Sequence, residues 1–409
     1  MQFKDIIGQT ETRQHLTDML QQNRLSHALL FLGKEGNGSL NLARAFAQYV
    51  VCEKVNGMNK PTTGTSLFGE EPISNGQPFD KSDSCGQCSA CMKAAKLVHP
   101  DIHFSFPIIS IKKDRPTVSN DMITEWRKFI LENPYGNSYD WLQAIEAENK
   151  QGNITSKECE EIIKKLMLKS FESKHKILIM WMPEYLGNEG NKLLKLIEEP
   201  PADTLMIFVA ENEQQILPTI LSRTQLVKVP MLFASAIAQQ LVEDKLTDAD
   251  NAQQIALMSE GNYREALRLL QHADDNWELL LRDWMNSIVR TGPAAQVKWV
   301  EDVAKIGREK QKQFLQYFNH VLSHAVRLKA MGDAAFDPSL AENETQSAIS
   351  GFAGKINRLC HFDQLEALVR EIDQATYHVE RNANAKILFH ALTIRIYYII
   401  SNKSVILVP

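Results

Sequence analysis

No apolar run in this chain is long enough to cross a bilayer. The most apolar stretch of its C-terminal part, ILFHALTIRIYYII at residues 387–400, is short and carries His390 and Arg395. It reads as a buried helix. The N-terminal MQFKDIIGQTETRQHL mixes polar and apolar residues and lacks a secretory leader pattern. The expectation is a cytoplasmic chain that does not engage membranes. Positive charge is not in excess either: 50 acidic residues against 45 basic ones give a formal charge of -5. That argues against a basic nucleic-acid binder acting alone, though not against a basic face within an assembly. Internal repeats of fixed period are absent, which excludes a solenoid. Cysteine is scarce, six in 409 residues, yet three of the six fall within one heptapeptide. Such clustering suits a metal in a reducing compartment better than a disulfide framework.

What is present begins with short apolar runs: ALLFL (28–32), IHFSF (102–106), ILIMWM (177–182), LMIFVA (205–210) and LVKV (226–229). They suit strands buried on both faces of a parallel sheet. Helical patterns separate them, as in NKLLKLIEEPP, where Pro200 and Pro201 stop the helix. An α/β domain over residues 1–230 is expected. Two insertions interrupt it, at about 53–84 (rich in Gly, Ser, Asn, Pro and Thr) and 107–155 (basic SIKKDR, then a helical stretch with Trp126 and Trp141). Residues 231–275 read as a small helical block. Residues 276–409 read as wholly helical, with Trp277, Leu280, Leu281, Trp284 and Ile288 on one face and Phe314, Phe318, Val321, Leu322 and Ala325 on another.

After the first strand comes GKEGNGSL, close to the phosphate-loop pattern G-x-x-x-x-G-K-[ST]. Gly33 and Gly38 hold the glycine positions, with Gly36 between them. Ser39 stands where the lysine belongs, and Leu40 where a hydroxyl would hold magnesium. Lys34 lies at the wrong offset to substitute. A strand, a glycine turn and a helix offer backbone N–H groups to an anion. The same geometry also serves as a plain tight turn without ligand. The strand ILIMWM raises the same doubt. ATP hydrolysis needs a carboxylate at such a strand end, but this one ends in Trp181 and Met182, and Glu184 beyond it reads as a solvated loop acid.

CGQCSAC supplies Cys85, Cys88 and Cys91 at knuckle spacing, and Cys52 is the obvious fourth thiolate for a tetrahedral structural zinc. His99 or His103 is the alternative fourth ligand. An iron–sulfur run would continue x3-C-P, but Cys91 is followed by MKAA. Cys159 and Cys360 are isolated and read as packing residues. Two arginines occupy marked positions. Arg223, in Ser222-Arg223-Thr224, precedes the last strand and can project from the domain edge, or simply pair on the surface. Arg264, in EGNYREAL, begins a helix, and reads as solvated or paired with Glu260 or Glu265.

The order of these pieces carries more than any one of them. FKDIIGQ, SHALLFLG, the glycine loop, CGQCSAC, HPD, LLKLIEEPP, ILSRT and GNYREAL follow one another. The series resembles the AAA+ clamp-loader subunits of bacterial DNA polymerase III over roughly residues 1–275. The resemblance implies a P-loop-type parallel sheet with helices on both faces, a helical lid and an all-α C-terminal collar. Of that family's two kinds of subunit, the sequence is similar to the non-hydrolysing delta-prime kind rather than the motor. Arg223 matches its trans-acting arginine finger beside Ser222, with Thr224 in place of the usual cysteine. Arg264 matches a second sensor position, and Glu211-Asn212 stand where a first-sensor hydroxyl is expected. The implied partners are motor ATPase and delta subunits, and through them the sliding clamp and primed DNA. The implied cofactor is structural zinc, with ATP not hydrolysed by this chain. The competing expectations are an active motor subunit and a zinc-bearing DNA-binding module.

Overall fold

The computed structural model describes residues 1–57, 79–109, 117–147, 150, 152–271, 277–331, 344–381 and 383–401. Most of the Gly/Ser-rich insertion, and SIKKDR, lie outside them. The chain divides into two compact units, Met1–Arg268 and Leu269–Pro409.

Five strands form the sheet of the first unit: β1 (Ala28–Leu32), β2 (Ile102–Ser105), β3 (Lys176–Trp181), β4 (Thr204–Ala210) and β5 (Gln225–Lys228). All pairings are parallel, in the order β2-β3-β4-β1-β5. The apolar runs become strands because both sheet faces are covered. Successive side chains alternate in direction. Leu29, Phe31, Ile177, Ile179, Trp181, Ile207 and Val209 therefore join one core cluster, and Leu30, Leu178, Met180, Met206 and Phe208 the other. Every residue of β3 and β4 is buried.

The helices of this unit are α1 (Thr10–Gln21), α2 (Ser39–Val51), α3 (Ser89–Ala95), α4 (Ile123–Glu132), α5 (Ser138–Ala144), α6 (Ser156–Met167), α7 (Leu194–Glu198), α8 (Pro218–Leu221), α9 (Ala234–Glu243), α10 (Ala249–Met258) and the first part of α11 (Tyr263–Gln271). Helix α2 is buried along its whole length against the sheet. Helix α7 stops just before Pro200, as its sequence predicts. This is an α/β domain with a five-stranded parallel sheet covered on both faces. The register places Leu32, Trp181 and Ala210 together at the C-terminal edge of the sheet, where open α/β sheets hold their ligands.

The second unit is helical among its described residues: α12 (Trp277–Asn286), α13 (Pro293–Lys305), α14 (Arg308–Met331), α15 (Glu344–Leu359), α16 (Phe362–Glu380) and α17 (Ala385–Ile400). Trp284 and Trp299 stack at 4.5 Å at its centre, ringed by Phe314, Phe318 and Phe389. Burial of the Trp284 indole needs a partner for its N–H, and Thr393 Oγ1 accepts it at 2.9 Å. Phe314, Phe318, Val321, Leu322 and Ala325 are fully buried, whereas Trp277 and Leu280 are only half-buried. No helix among the described residues is long and apolar enough to cross a membrane.

Candidate functional site

Strand β1 runs straight into the glycine loop. Gly36 and Gly38 adopt φ of 72° and 86°, a region costly for other residues. Three of the loop's amides bond within the protein. Gly33 N donates to Ala210 O at 3.1 Å and Asn37 N to Lys34 O at 3.4 Å. The Asn37 carboxamide accepts from Ser39 N at 3.0 Å and Ser39 Oγ at 2.7 Å, and donates to Val229 O at 2.7 Å. The first amide of α2, which a phosphate would take, is thus capped by a side chain two residues back. Asn37 was missed in the sequence; an Asn two residues before a helix start is the signal for such an Asx turn.

The space above the loop is filled from three sides. Tyr135 lies on Gly38, where an added Cβ would sit 3.0 Å from its ring. The Tyr135 hydroxyl accepts from Ile7 N at 3.3 Å. Trp181 points into an aromatic cluster of the β2–β3 segment, 5.0 Å from Trp126, which stacks on Phe106 at 4.1 Å. Met182 follows in a left-handed conformation and turns the chain away. A cavity of about 30 Å³ remains between loop, Tyr135, Trp181 and Glu211. Small-molecule pockets take roughly 300 Å³ or more.

Two expectations are corrected here. Glu184 is not a solvated loop acid: one of its oxygens accepts from Glu211 N at 2.6 Å and Asn212 N at 2.9 Å, and burial pushes its carboxyl up. The strand-end turn folds it back under the neighbouring strand end. Arg264 is not solvated, and its main partners are Asp140 and Glu35, with Glu265 adding a weaker attraction. Its Nη2 donates to Asp140 Oδ1 at 2.6 Å, its Nε to Asp140 Oδ2, and its Nη1 to Glu35 Oε1 at 3.0 Å. Burial alone would lower the guanidinium, but Asp140 and then Glu35 outweigh it and hold it above its ordinary value.

Glu211 lies beside this group. Burial, then the carboxylates of Glu35 and Glu184, push its carboxyl from 4.5 up to about 7, with Arg264 opposing. Between those values the folded chain keeps a proton that the unfolded chain has released. Stability from this group therefore falls as pH rises through about 4.5 to 7. Glu211→Gln is expected to add about 1–2 kcal/mol at pH 8 and almost nothing near pH 4.5, read by urea unfolding at both pH values. An equal effect at both would exclude titration as the cause.

Arg223 follows α8 at the domain edge, with its side chain 35% exposed. Its Nε donates to Glu198 Oε1 at 2.6 Å, and Nη1 donates to Thr219 O at 2.9 Å and Ser222 Oγ at 3.1 Å. The pairing partner, Glu198, belongs to LLKLIEEPP and had no assigned part in the sequence.

The cysteines meet where α2 ends and α3 begins. Cys52 follows the last turn of α2, Cys88 caps α3, and Cys91 lies inside it. The sulfurs of Cys52, Cys85, Cys88 and Cys91 all lie within 4.8 Å of one another, Cys85 and Cys91 at 3.9 Å. A tetrahedral zinc with bonds of about 2.3 Å separates its sulfurs by about 3.8 Å. Amides of Cys85, Cys88 and Cys91 donate to the sulfurs of Cys52, Cys85 and Cys88 at 3.3–3.4 Å. The hydrogen bond with Cys91 draws the Cys52 thiol down to about 5 and pushes that of Cys91 up. The donor set fits a tetrathiolate metal. His99 is not part of it, since its Nδ1 accepts from Asp101 N at 3.1 Å and its Nε2 faces Glu172 at 3.2 Å. His103 lies on β2, outside the group. Cys159 and Cys360 are buried apart from it. Asp101 of the HPD triplet accepts the amides of Phe171, Glu172 and Ser173, which builds the loop before β3.

A family model described as "DNA polymerase III, delta subunit" matches residues 8–68 and 66–233, more than half of the chain. The chain belongs to that family. It is thus a DNA polymerase III clamp-loader family subunit. The delta' subunit of Bacillus subtilis is 27% identical over 233 residues, 57% of this chain and 50% of the relative. The tau subunit of the same organism is 25% identical over 279 residues, 66% of this chain and 37% of the relative. The chain therefore spans half or less of the length of these two relatives. A solved gamma subunit-related protein from Thermotoga maritima aligns over 94% of this chain and 98% of its own at 14% identity and a TM-score of 0.34. So loose a likeness adds nothing to the assignment.

Proposed function

We propose that this chain is a non-hydrolysing, delta-prime-like subunit of the DNA polymerase III clamp loader, lending an arginine finger to a neighbouring ATPase subunit. The observation that carries the reading is the closed loop: Asn37 caps Ser39 N, Tyr135 covers Gly38, and Trp181 and Met182 stand where acids would hold magnesium. The lysine and the magnesium-binding hydroxyl that phosphoryl transfer uses are replaced by Ser39 and Leu40 at their positions in the pattern. Arg223 keeps a planar guanidinium at the domain edge, the group suited to charge developing on a neighbour's γ-phosphate. Motor and delta subunits are its partners, and the sliding clamp and primed DNA lie beyond them. Cys52, Cys85, Cys88 and Cys91 hold a structural zinc, which fixes the knuckle and takes no part in chemistry. Residues 1–230, 231–275 and 276–409 serve as AAA+ domain, lid and collar in a cytoplasmic complex.

Calorimetric titration of the full chain with Mg·ATP should give no saturable heat up to millimolar nucleotide. Micromolar binding with turnover would establish a motor subunit instead.

A further inference from the structure

The anion that a lid arginine would take from a bound nucleotide is supplied here by the chain itself. Helix α11 begins against the phosphate loop. Tyr263 N donates to Gly36 O at 3.0 Å, and Asn262 crowds Gly36 so closely that any Cβ there would collide with it. Arg264, the next residue, reaches Glu35 in the same loop and meets the Asp140 carboxylate. Both oxygens of Asp140 are engaged by the guanidinium, the two-point geometry arginine uses for carboxylates and phosphates alike.

Asp140 is held ready for this. Asn137 caps α5 by accepting from Asp140 N at 2.9 Å, and Asn137 N returns a bond to Asp140 Oδ2 at 3.1 Å. The next residue, Trp141, is fully buried, with Nε1 on Pro107 O at 2.7 Å. From the turn just before α5, Tyr135 reaches the loop at Gly38 and the lid at Tyr263, ring to ring at 4.9 Å. One short segment therefore touches the phosphate loop and the lid at once, as a bound nucleotide would.

We propose that residues 133–140 are a built-in stand-in for nucleotide, with the Asp140 carboxylate in place of a phosphate, fastening the lid to the AAA+ body permanently. The motions that nucleotide binding and release drive in a lid are thereby removed from this subunit. The inference rests on the closed-loop reading above, and adds to it what occupies the cleft and what that occupant does.

Hydrogen exchange of the full chain tests it, read at the amides of residues 263–268 and, as reference, at the sheet residues 29–32. Asp140→Asn keeps an acceptor for the helix cap but removes the charge. Asp140→Ala also opens space. Exchange in α11 should rise roughly tenfold or more in both variants, with the sheet unchanged. Inorganic phosphate at millimolar concentration should restore protection in Asp140→Ala and leave the parent chain untouched, because only the variant exposes the guanidinium to an anion. Unchanged exchange in Asp140→Asn overturns the stand-in. So does loosening that spreads to the sheet, and so does lost protection that phosphate cannot restore, which would make the pair an ordinary ionic contact. Mg·ATP binding by the parent chain is the separate result that overturns the closed-loop reading itself.

Discussion

Arg223→Ala is expected to lower ATP turnover of the reconstituted loader by about 10³-fold or more while the chain itself folds as before. The two halves of that statement have different physical grounds. Arg223 and Glu198 are 35% and 46% exposed. Exposed ion pairs contribute roughly 0–1 kcal/mol, so the melting temperature should move by no more than a few degrees. The catalytic half follows from the transition state of phosphoryl transfer. Charge spreads over the γ-phosphoryl oxygens, and a guanidinium brought in from a neighbour is worth about 10³–10⁵ in rate. Arg223→Lys should rescue little, because an ammonium lacks the planar pair of donors. The measurement is ATPase of the loader assembled with motor and delta subunits, in the presence of clamp and primed DNA. Undiminished turnover with Arg223→Ala would sink the finger assignment.

The second large effect concerns the knuckle. Purified chain should carry about one zinc, and Cys88→Ser should release it. The four sulfurs are as closely grouped as a tetrahedral site requires, and zinc bound among them would displace the thiol protons. Structural zinc contributes about 10–16 kcal/mol of apparent free energy in peptides that have no other core. This domain has its own core, so only part of that should appear as lost global stability. The rest should appear as local unfolding of residues 79–97. The N-terminal segment should loosen with them, because Phe3 N and Lys4 N donate to Asp83 at 3.0 Å and Gln2 contacts Ser84. Limited proteolysis and elemental analysis read both effects. Cys159→Ser, whose thiol is buried elsewhere, is the control that should keep the metal. Full zinc retention by Cys88→Ser would remove the assignment.

Much of the framework was legible because it depends on short-range pattern. Five apolar runs of strand length became five parallel strands, with ends displaced by about a residue, since both faces had to be covered. Pro200 ended α7 because proline lacks the N–H that a helix needs. Ser39, Leu40, Trp181 and Met182 declared the loss of hydrolytic residues without any coordinates. By contrast, Glu184 and Arg264 were misread. Their main partners are not neighbours in sequence: Glu184 meets the amides of residues 211 and 212, and Arg264 meets Asp140, 124 positions away.

The sequence by itself determined what this chain has lost and what it retains: no lysine or magnesium-binding hydroxyl at the pattern's last two positions, a thiolate set, and an arginine at the edge. Residue identity decides those points, and identity is complete in the sequence. Only the tertiary structure decided that the cleft is closed, and by what. Asn37, Tyr135 and Trp181 line it through contacts whose energies depend on distance in space, and Asp140 holds Arg264 beside it. Tyr135 and Trp181 reach the loop from about a hundred or more positions away. No periodicity or spacing rule encodes that approach. It follows from the way the β2–β3 segment packs its tryptophans against the sheet and so delivers Tyr135 and Asp140 to the loop and lid.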